Sequence, residues 1–290
     1  MKKNLLLTLA LCLLAQWSVA QAPKWVEKAK RAVFSVVTYD ESDKILNTGN
    51  GFFVTEDGMA LSDYSLFKGA QRAVVINSEG EQMPVEVIMG ANDMYDVVKF
   101  RVAISGKKVP ALLVSPTAPT VGTSVYLLPY STQKDRSYTT GQVKEESKVD
   151  GQYHYYTLDM HLKDKMVSCP VMTADGQVFG LAQKSSGKDT ATICYAVGAD
   201  YAMAQKINPL SFNDHALSSI GIKKALPDTE EQALVYLYMA SSQQTPEKYA
   251  ELLNDFIAQY PNSSDGYFRR ANSQMYLSKE ISSMGKAAAD

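Results

Sequence analysis

A chain of 290 residues with 46% hydrophobic and 21% charged residues has the balance of one large or two modest globular domains. Its formal net charge is −2. Nothing in that balance argues for the basic footprint that nucleic-acid binding needs, so nucleic acid is not an expected partner.

The first segment reads as a secretory signal at residues 1–20. Lys2 and Lys3 precede an apolar run from Leu5 to Ala15, and Ser18-Val19-Ala20 supplies a small-x-small cleavage site. The run is short for a membrane span, which needs about 20 apolar residues, and no later run reaches that length. Cys12 lies inside the run and is followed by further leucines, which argues against a lipoprotein cysteine. The expected product is exported, periplasmic or secreted, with no membrane span.

From Arg31 to about Asp200, short β-rich runs alternate with turn signals, and no long helical period appears. Val33 to Tyr39 is the first expected strand. Glu56-Asp57-Gly58 and Ser78-Glu79-Gly80 mark hairpins. Strands are expected at Val97–Val102, Leu112–Val114, Ser124–Leu128, Tyr138–Val143 and Tyr153–Asp159. Val171-Met172, Val178–Gln183 and Thr192–Val197 complete the set. About a dozen strands at this spacing fit a closed or paired antiparallel barrel better than an open sheet.

Six segments in this block carry a resemblance. Gly49-Asn50-Gly51-Phe52-Phe53-Val54-Thr55-Glu56-Asp57-Gly58 opens it, and Leu61-Ser62-Asp63-Tyr64-Ser65 follows the hairpin. Next come Asp96-Val97-Val98 and Thr140-Gly141-Gln142-Val143. Lys165-Met166-Val167-Ser168-Cys169-Pro170 leads into Asp175-Gly176, and Cys194-Tyr195-Ala196-Val197 closes the series. In this order and spacing the block resembles a trypsin-like serine peptidase of the HtrA/Deg type. The resemblance implies a mainly β fold of two antiparallel six-stranded barrels over residues 24–205.

It also implies where catalysis would sit. The triad positions fall on Ser65 for histidine, Asp96 for aspartate and Val167 for serine. A serine hydroxyl cannot take a proton near neutral pH, and valine offers no nucleophile. Glycines of the family's oxyanion loop are replaced by Lys165, Ser168 and Cys169. On an extended segment Ser168 is expected to point away from the cleft. Asp96 is expected to persist as a hydrogen-bond acceptor for Ser65 or backbone groups, because an unpaired buried carboxylate is costly. No catalytic residue is therefore assigned.

His154 and His161 flank one strand at odd spacing, so their side chains point to opposite faces and make a poor metal or catalytic pair. His215 lies beyond the barrels. No metal and no cofactor is expected. By the resemblance His161, Lys165, Ser168 and Gln183 are candidates to line a peptide-binding cleft. Cys169 and Cys194 both fall in the second barrel, where a disulfide and a pair of inert buried thiols are the two open readings.

After Asp200 the pattern changes. Residues 206–229 read as a linker, and residues 230–290 as helices. Glu230–Ala240, Pro246–Gln259 and Asp265–Leu277 show helical spacing. Leu234, Leu237 and Tyr238 are expected on one buried face; Tyr249, Leu252, Leu253, Phe256 and Ile257 on another. Thr245-Pro246 is an N-cap signal, and Tyr260-Pro261-Asn262 a stop. The segment resembles tetratricopeptide repeats, of which about one and a half units are present. Such repeats bury their faces by stacking. Either these helices pack on the barrels or the array continues; the pattern favours an incomplete array.

The sequence thus points to a non-catalytic peptidase homologue of the cell envelope. It would bind or scaffold proteins or peptides through the inter-barrel cleft and the repeat helices. The alternative is a secreted serine hydrolase of atypical mechanism using Ser65, Ser168 or Cys169. A weaker third role is that of a spacer capping a longer repeat array.

Overall fold

The computed structural model describes residues 22–132, 137–184 and 193–287, with side chains through residue 279. The expected signal at 1–20 lies outside the described residues. Twelve strands form two closed antiparallel barrels.

The first barrel comprises β1 (Val33–Tyr39), β2 (Ile45–Phe53), β3 (Met59–Ser62), β4 (Arg72–Ile76), β5 (Gln82–Asn92) and β6 (Val97–Val102). They close in the order β1-β2-β3-β6-β5-β4. Alternation places Phe34, Phe53, Phe100 and Ile88 inside. The Phe34 and Phe53 rings meet at 4.6 Å, and Phe67 reaches Phe100 at 4.9 Å. Gly58 turns the β2–β3 hairpin at φ +93°, where an added Cβ would lie 2.6 Å from the Val102 carbonyl oxygen.

The second barrel comprises β7 (Ser124–Leu127), β8 (Thr139–Val149), β9 (Tyr153–Asp159), β10 (Pro170–Met172), β11 (Val178–Gln183) and β12 (Ile193–Gly198). Its order is β10-β11-β12-β9-β8-β7, the same winding as the first. Leu127, Tyr156, Leu158, Val171 and Phe179 fill it, with Cys169 and Cys194 among them. Both cysteines are buried free thiols rather than a bridge.

Residues facing outward from each barrel meet in a third apolar cluster, the seam. Phe52, Leu61 and Val97 come from the first barrel, and Leu128, Leu181 and Val197 from the second. Helix α1 (Val26–Lys30) lies on this seam. Trp25 beside it packs edge-on against Tyr126 and donates from Nε1 to the Ala174 carbonyl at 2.8 Å.

Leu112–Val114 is not a strand. Only Val114 makes an isolated bridge, to Val178. Pro110 and Pro116 bracket the segment, so it cannot extend a ladder. It serves instead as a tie: Leu112 N–H donates to Phe53 O, and Val178 N–H donates to Leu113 O, each at 2.9 Å.

Short helices α2 (Tyr64–Phe67), α3 (Ala199–Ala204) and α4 (His215–Ser218) punctuate the chain, and α5 (Glu230–Ser241), α6 (Pro246–Gln259) and α7 (Ser264–Ala287) end it. The segment between α4 and α5 lies along the first barrel. Ile88 N–H donates to Lys223 O and Ala225 N–H to Ile88 O, both at 2.8 Å. Ile220, Ile222 and Leu226 then join Leu237, Leu253 and Phe256 in one cluster with Phe34 and Phe100. The terminal helices and the first barrel share a core.

Thr229 and Thr245 cap α5 and α6 by accepting from Gln232 and Lys248 N–H groups. On α6 the buried residues are Leu253, Phe256 and Ile257, with Tyr249 and Leu252 packed alongside. On α5 the buried face is Ala233, Tyr236, Leu237 and Ala240, while Tyr238 is 68% exposed. Leu237 and, half-buried, Leu234 pack inward as expected, while the face takes in Ala233, Tyr236 and Ala240 in place of Tyr238. No described helix is long and apolar enough to cross a membrane.

Candidate functional site

The site is built where β3 leaves the first barrel. Asp63 is extended, and Ser65 lies in the single turn of α2. Opposite, the tight connection between β5 and β6 holds Asp96 at φ +51°, a left-handed conformation that aspartate tolerates better than most residues. The two meet directly. Ser65 N–H donates to Asp96 Oδ1 at 2.6 Å, and Ser65 Oγ to Oδ2 at 3.1 Å. Both carboxylate oxygens are therefore engaged by one residue.

No imidazole is seen in that role. His154 Nδ1 sits 3.1 Å from Asp200, on the second barrel, and His215 Nδ1 is 3.7 Å from Asp93. His161 is exposed on the segment after β9.

The loop from the second barrel starts as one 3₁₀ turn, Asp164–Met166. Met166 N–H donates to Lys163 O at 2.8 Å, and Val167 N–H points to Asp164 O at 3.4 Å. Ser168 N–H donates to Ala182 O at 2.8 Å. These amides are turned into the loop and β11 rather than outward. Ser168 takes φ +64° and is 1% exposed, so its hydroxyl is inside the protein. Cys169 is fully buried, and burial pushes its thiol up to about 12. Such a thiol is a poor nucleophile at neutral pH.

Two residues not singled out by sequence hold this arrangement. Asn50 on β2 reaches across the seam, and its Nδ2 donates to Val167 O at 2.8 Å and to Lys165 O at 3.1 Å. The Asn50 carbonyl accepts from Ser62 Oγ at 2.6 Å. Asp63 is 3% exposed, and its Oδ1 has no hydrogen-bond partner. Burial drives its carboxyl well above the usual range, with the nearby Asp96 charge adding to the effect. The Ser168 hydroxyl opposes the shift slightly, yet Ser168 Oγ completes no hydrogen bond of ordinary geometry. A carboxylate directly after the short strand run Met59–Ser62 is the sequence signal that could have marked Asp63. The glycines flanking Asn50 are a weaker one.

The remaining predicted cleft residues divide. Lys165 is exposed. Gln183 is committed to structure: its Oε1 accepts from Tyr155 Oη at 3.1 Å, and its Nε2 donates to Tyr95 O at 2.6 Å. It joins the two barrels rather than presenting an amide to a ligand. No cluster of three or more metal-ligating side chains occurs among the described residues.

The arrangement has recognisable relatives. A family model described as trypsin-like peptidase domain matches residues 49–181. The active form of the Rv3671c protease from M. tuberculosis superposes with a TM-score of 0.53 at 17% identity, covering 70% of this chain and 86% of that one. Anti-sigma-I factor RsgI9 of Acetivibrio thermocellus is 23% identical over 197 residues. That match takes in 68% of this chain and 27% of the relative's length. Residues 49–181 thus match a trypsin-like peptidase domain, and from β1 to β12, Val33–Gly198, the chain has the trypsin-like two-barrel fold.

Proposed function

We propose that this trypsin-like domain does not hydrolyse peptide bonds and acts as a protein- or peptide-binding module of the cell envelope. The observation that carries the reading is the closure of Ser65 on Asp96, which fills both carboxylate oxygens with a residue unable to act as a base. Val167 at the nucleophile position and the inward-turned amide of the same residue are consistent with it. Acyl transfer needs outward N–H donors where negative charge develops, and their loss alone costs a factor of about 10²–10³ in turnover.

The inter-barrel cleft and the C-terminal helices are the surfaces on which a partner would dock. The relative named as an anti-sigma factor lends weight to a role exercised on another protein. Export follows from the reading of residues 1–20. The competing hydrolase of atypical mechanism would use Ser65, Ser168 or Cys169. Ser168 and Cys169 are buried, and the exposed Ser65 has only the Asp96 carboxylate beside it, with no imidazole among the described residues.

The test is a purified sample of the exported chain, challenged with casein and a fluorophosphonate probe, then used as bait in envelope extract. The expected result is no cleavage, no labelling and a recovered partner whose retention is lost when exposed cleft residues such as Lys165 are changed. Casein cleavage or labelling of Ser65 or Ser168 would overturn the reading.

A further inference from the structure

A second site lies away from the cleft, where the segment before α5 passes between the first barrel and the helices. A cavity of about 350 Å³ opens there, with Lys224, Lys248 and Tyr236 among its walls. Lys224 is held in place by its backbone: residues 223 and 225 are hydrogen-bonded to Ile88, and Lys224 bridges to Ile88 in a parallel pair. Its ammonium donates to the Ile220 carbonyl, a neutral acceptor. No carboxylate pairs with Lys224 or Lys248 among the described ion pairs. The acids nearby do not fill the gap. Asp255 is occupied by Lys223 at 2.6 Å, and Glu251 makes no ion pair among those described. On the far side of Lys224, the adjoining cavity brings Glu86, Asp228 and Arg101, and none of them pairs with it.

Burial, and then the positive charge of Lys248, pull the Lys224 ammonium down to about 8. Lys224 and the exposed Lys248 thus line the same open cavity and repel each other. The Tyr236 ring is buried, and its hydroxyl has no hydrogen bond among those described. The first turns of α6 also face this cavity through Lys248 and Glu251, so the positive end of that helix reinforces the field.

We propose that this cavity binds a small oxyanion, a carboxylate or a phosphate, held by the ammonium groups of Lys224 and Lys248 and by the Tyr236 hydroxyl. A negative group there would offset the repulsion between the two lysines and supply the charged acceptor that neither has among the described ion pairs. Charge-assisted hydrogen bonds of this kind are the strong ones. The site sits at the join between the helices and the first barrel, so its occupant would bridge the two.

Titrating the whole exported chain with sodium phosphate and, separately, sodium acetate, by calorimetry and by NMR of the lysine side chains, tests this. Saturable binding of at least one is expected, with a dissociation constant at or below about 1 mM. The Lys224 titration should move upward from about 8 on saturation, and affinity should fall as pH rises past that value. Lys224→Met should weaken binding about tenfold or more. Tyr236→Phe, which keeps the packing, should weaken it less and serves as the control should Lys224→Met unfold. Acetate binding alone would assign the site to a carboxylate, and phosphate alone to a phosphate. No saturable binding of either anion, or binding unchanged in both variants, overturns the proposal.

Discussion

Asn50 of the first barrel grips Val167 of the second, its side-chain amide 2.8 Å from the Val167 carbonyl oxygen. The same nitrogen reaches Lys165 O, so one side chain fixes the loop that would otherwise carry the nucleophile. Asn50→Ala removes both donors while leaving the carbonyls partly buried. A loss of about 1–3 kcal/mol is expected in urea unfolding, with faster hydrogen exchange at the loop amides. Unchanged exchange would mean that the turn at Asp164–Met166 holds itself.

Asp63 sets a pH dependence. Its folded-state pKa is raised well above the ordinary 3.8, chiefly by burial. Between those two values the folded state holds a proton that the unfolded state has released, so stability falls as pH rises through that window. Each pH unit separating the two values costs about 1.4 kcal/mol. Asp63→Asn should flatten this limb and leave the protein more stable than the parent above it, as thermal melts across pH would read. The groups facing Asp63 are Asp96, Ser168 and Cys169, and none of them supplies a compensating cation. A parent limb with no downward slope would show that Asp63 ionises freely.

Rebuilding the triad is a sharper probe of the loop. Ser65→His with Val167→Ser restores a base and a nucleophile beside Asp96. Loss of one such member costs on the order of 10⁶ in turnover, so regaining both would be conspicuous. The expected outcome is casein hydrolysis no faster than the parent, because the Val167 and Ser168 amides point into the protein. Robust cleavage would show that the loop can open.

The cysteines give a chemical check. Burial lifts both Cys169 and Cys194 to about 12, so neither should react with Ellman's reagent at pH 8 in the folded protein. Denaturant should release both thiols. Silence after denaturation would mean that they had oxidised.

Much of the barrel architecture was legible because short β-rich apolar runs such as Val33–Tyr39 and Val178–Gln183 are bounded by turn signals. The hairpin at Asp57-Gly58 was equally plain. Leu112–Val114 looked like a strand because its three apolar residues carry no mark of direction. Its real role, a tie to Phe53 and Val178, depends on partners far along the chain. The start of β2 at Ile45 was hidden because Ile45, at 64% exposure, faces solvent with no apolar alternation to announce it. On α5, apolar residues surround the helix, so periodicity could not pick the face and packing chose the alanines. Within the site, Ser65, Asp96 and Val167 could be placed from motif spacing. Asn50 and Asp63 could not, since their roles exist only once two barrels more than a hundred residues apart touch.

The shared core of the first barrel and the terminal helices has a consequence for anyone dissecting the molecule. Cutting after Lys206 would strip Ile88 of two backbone partners and bare the patch now covered by Ile220, Leu226 and Phe256. The barrels prepared without their helical tail should therefore clump, and a faithful minimal fragment has to run through α6.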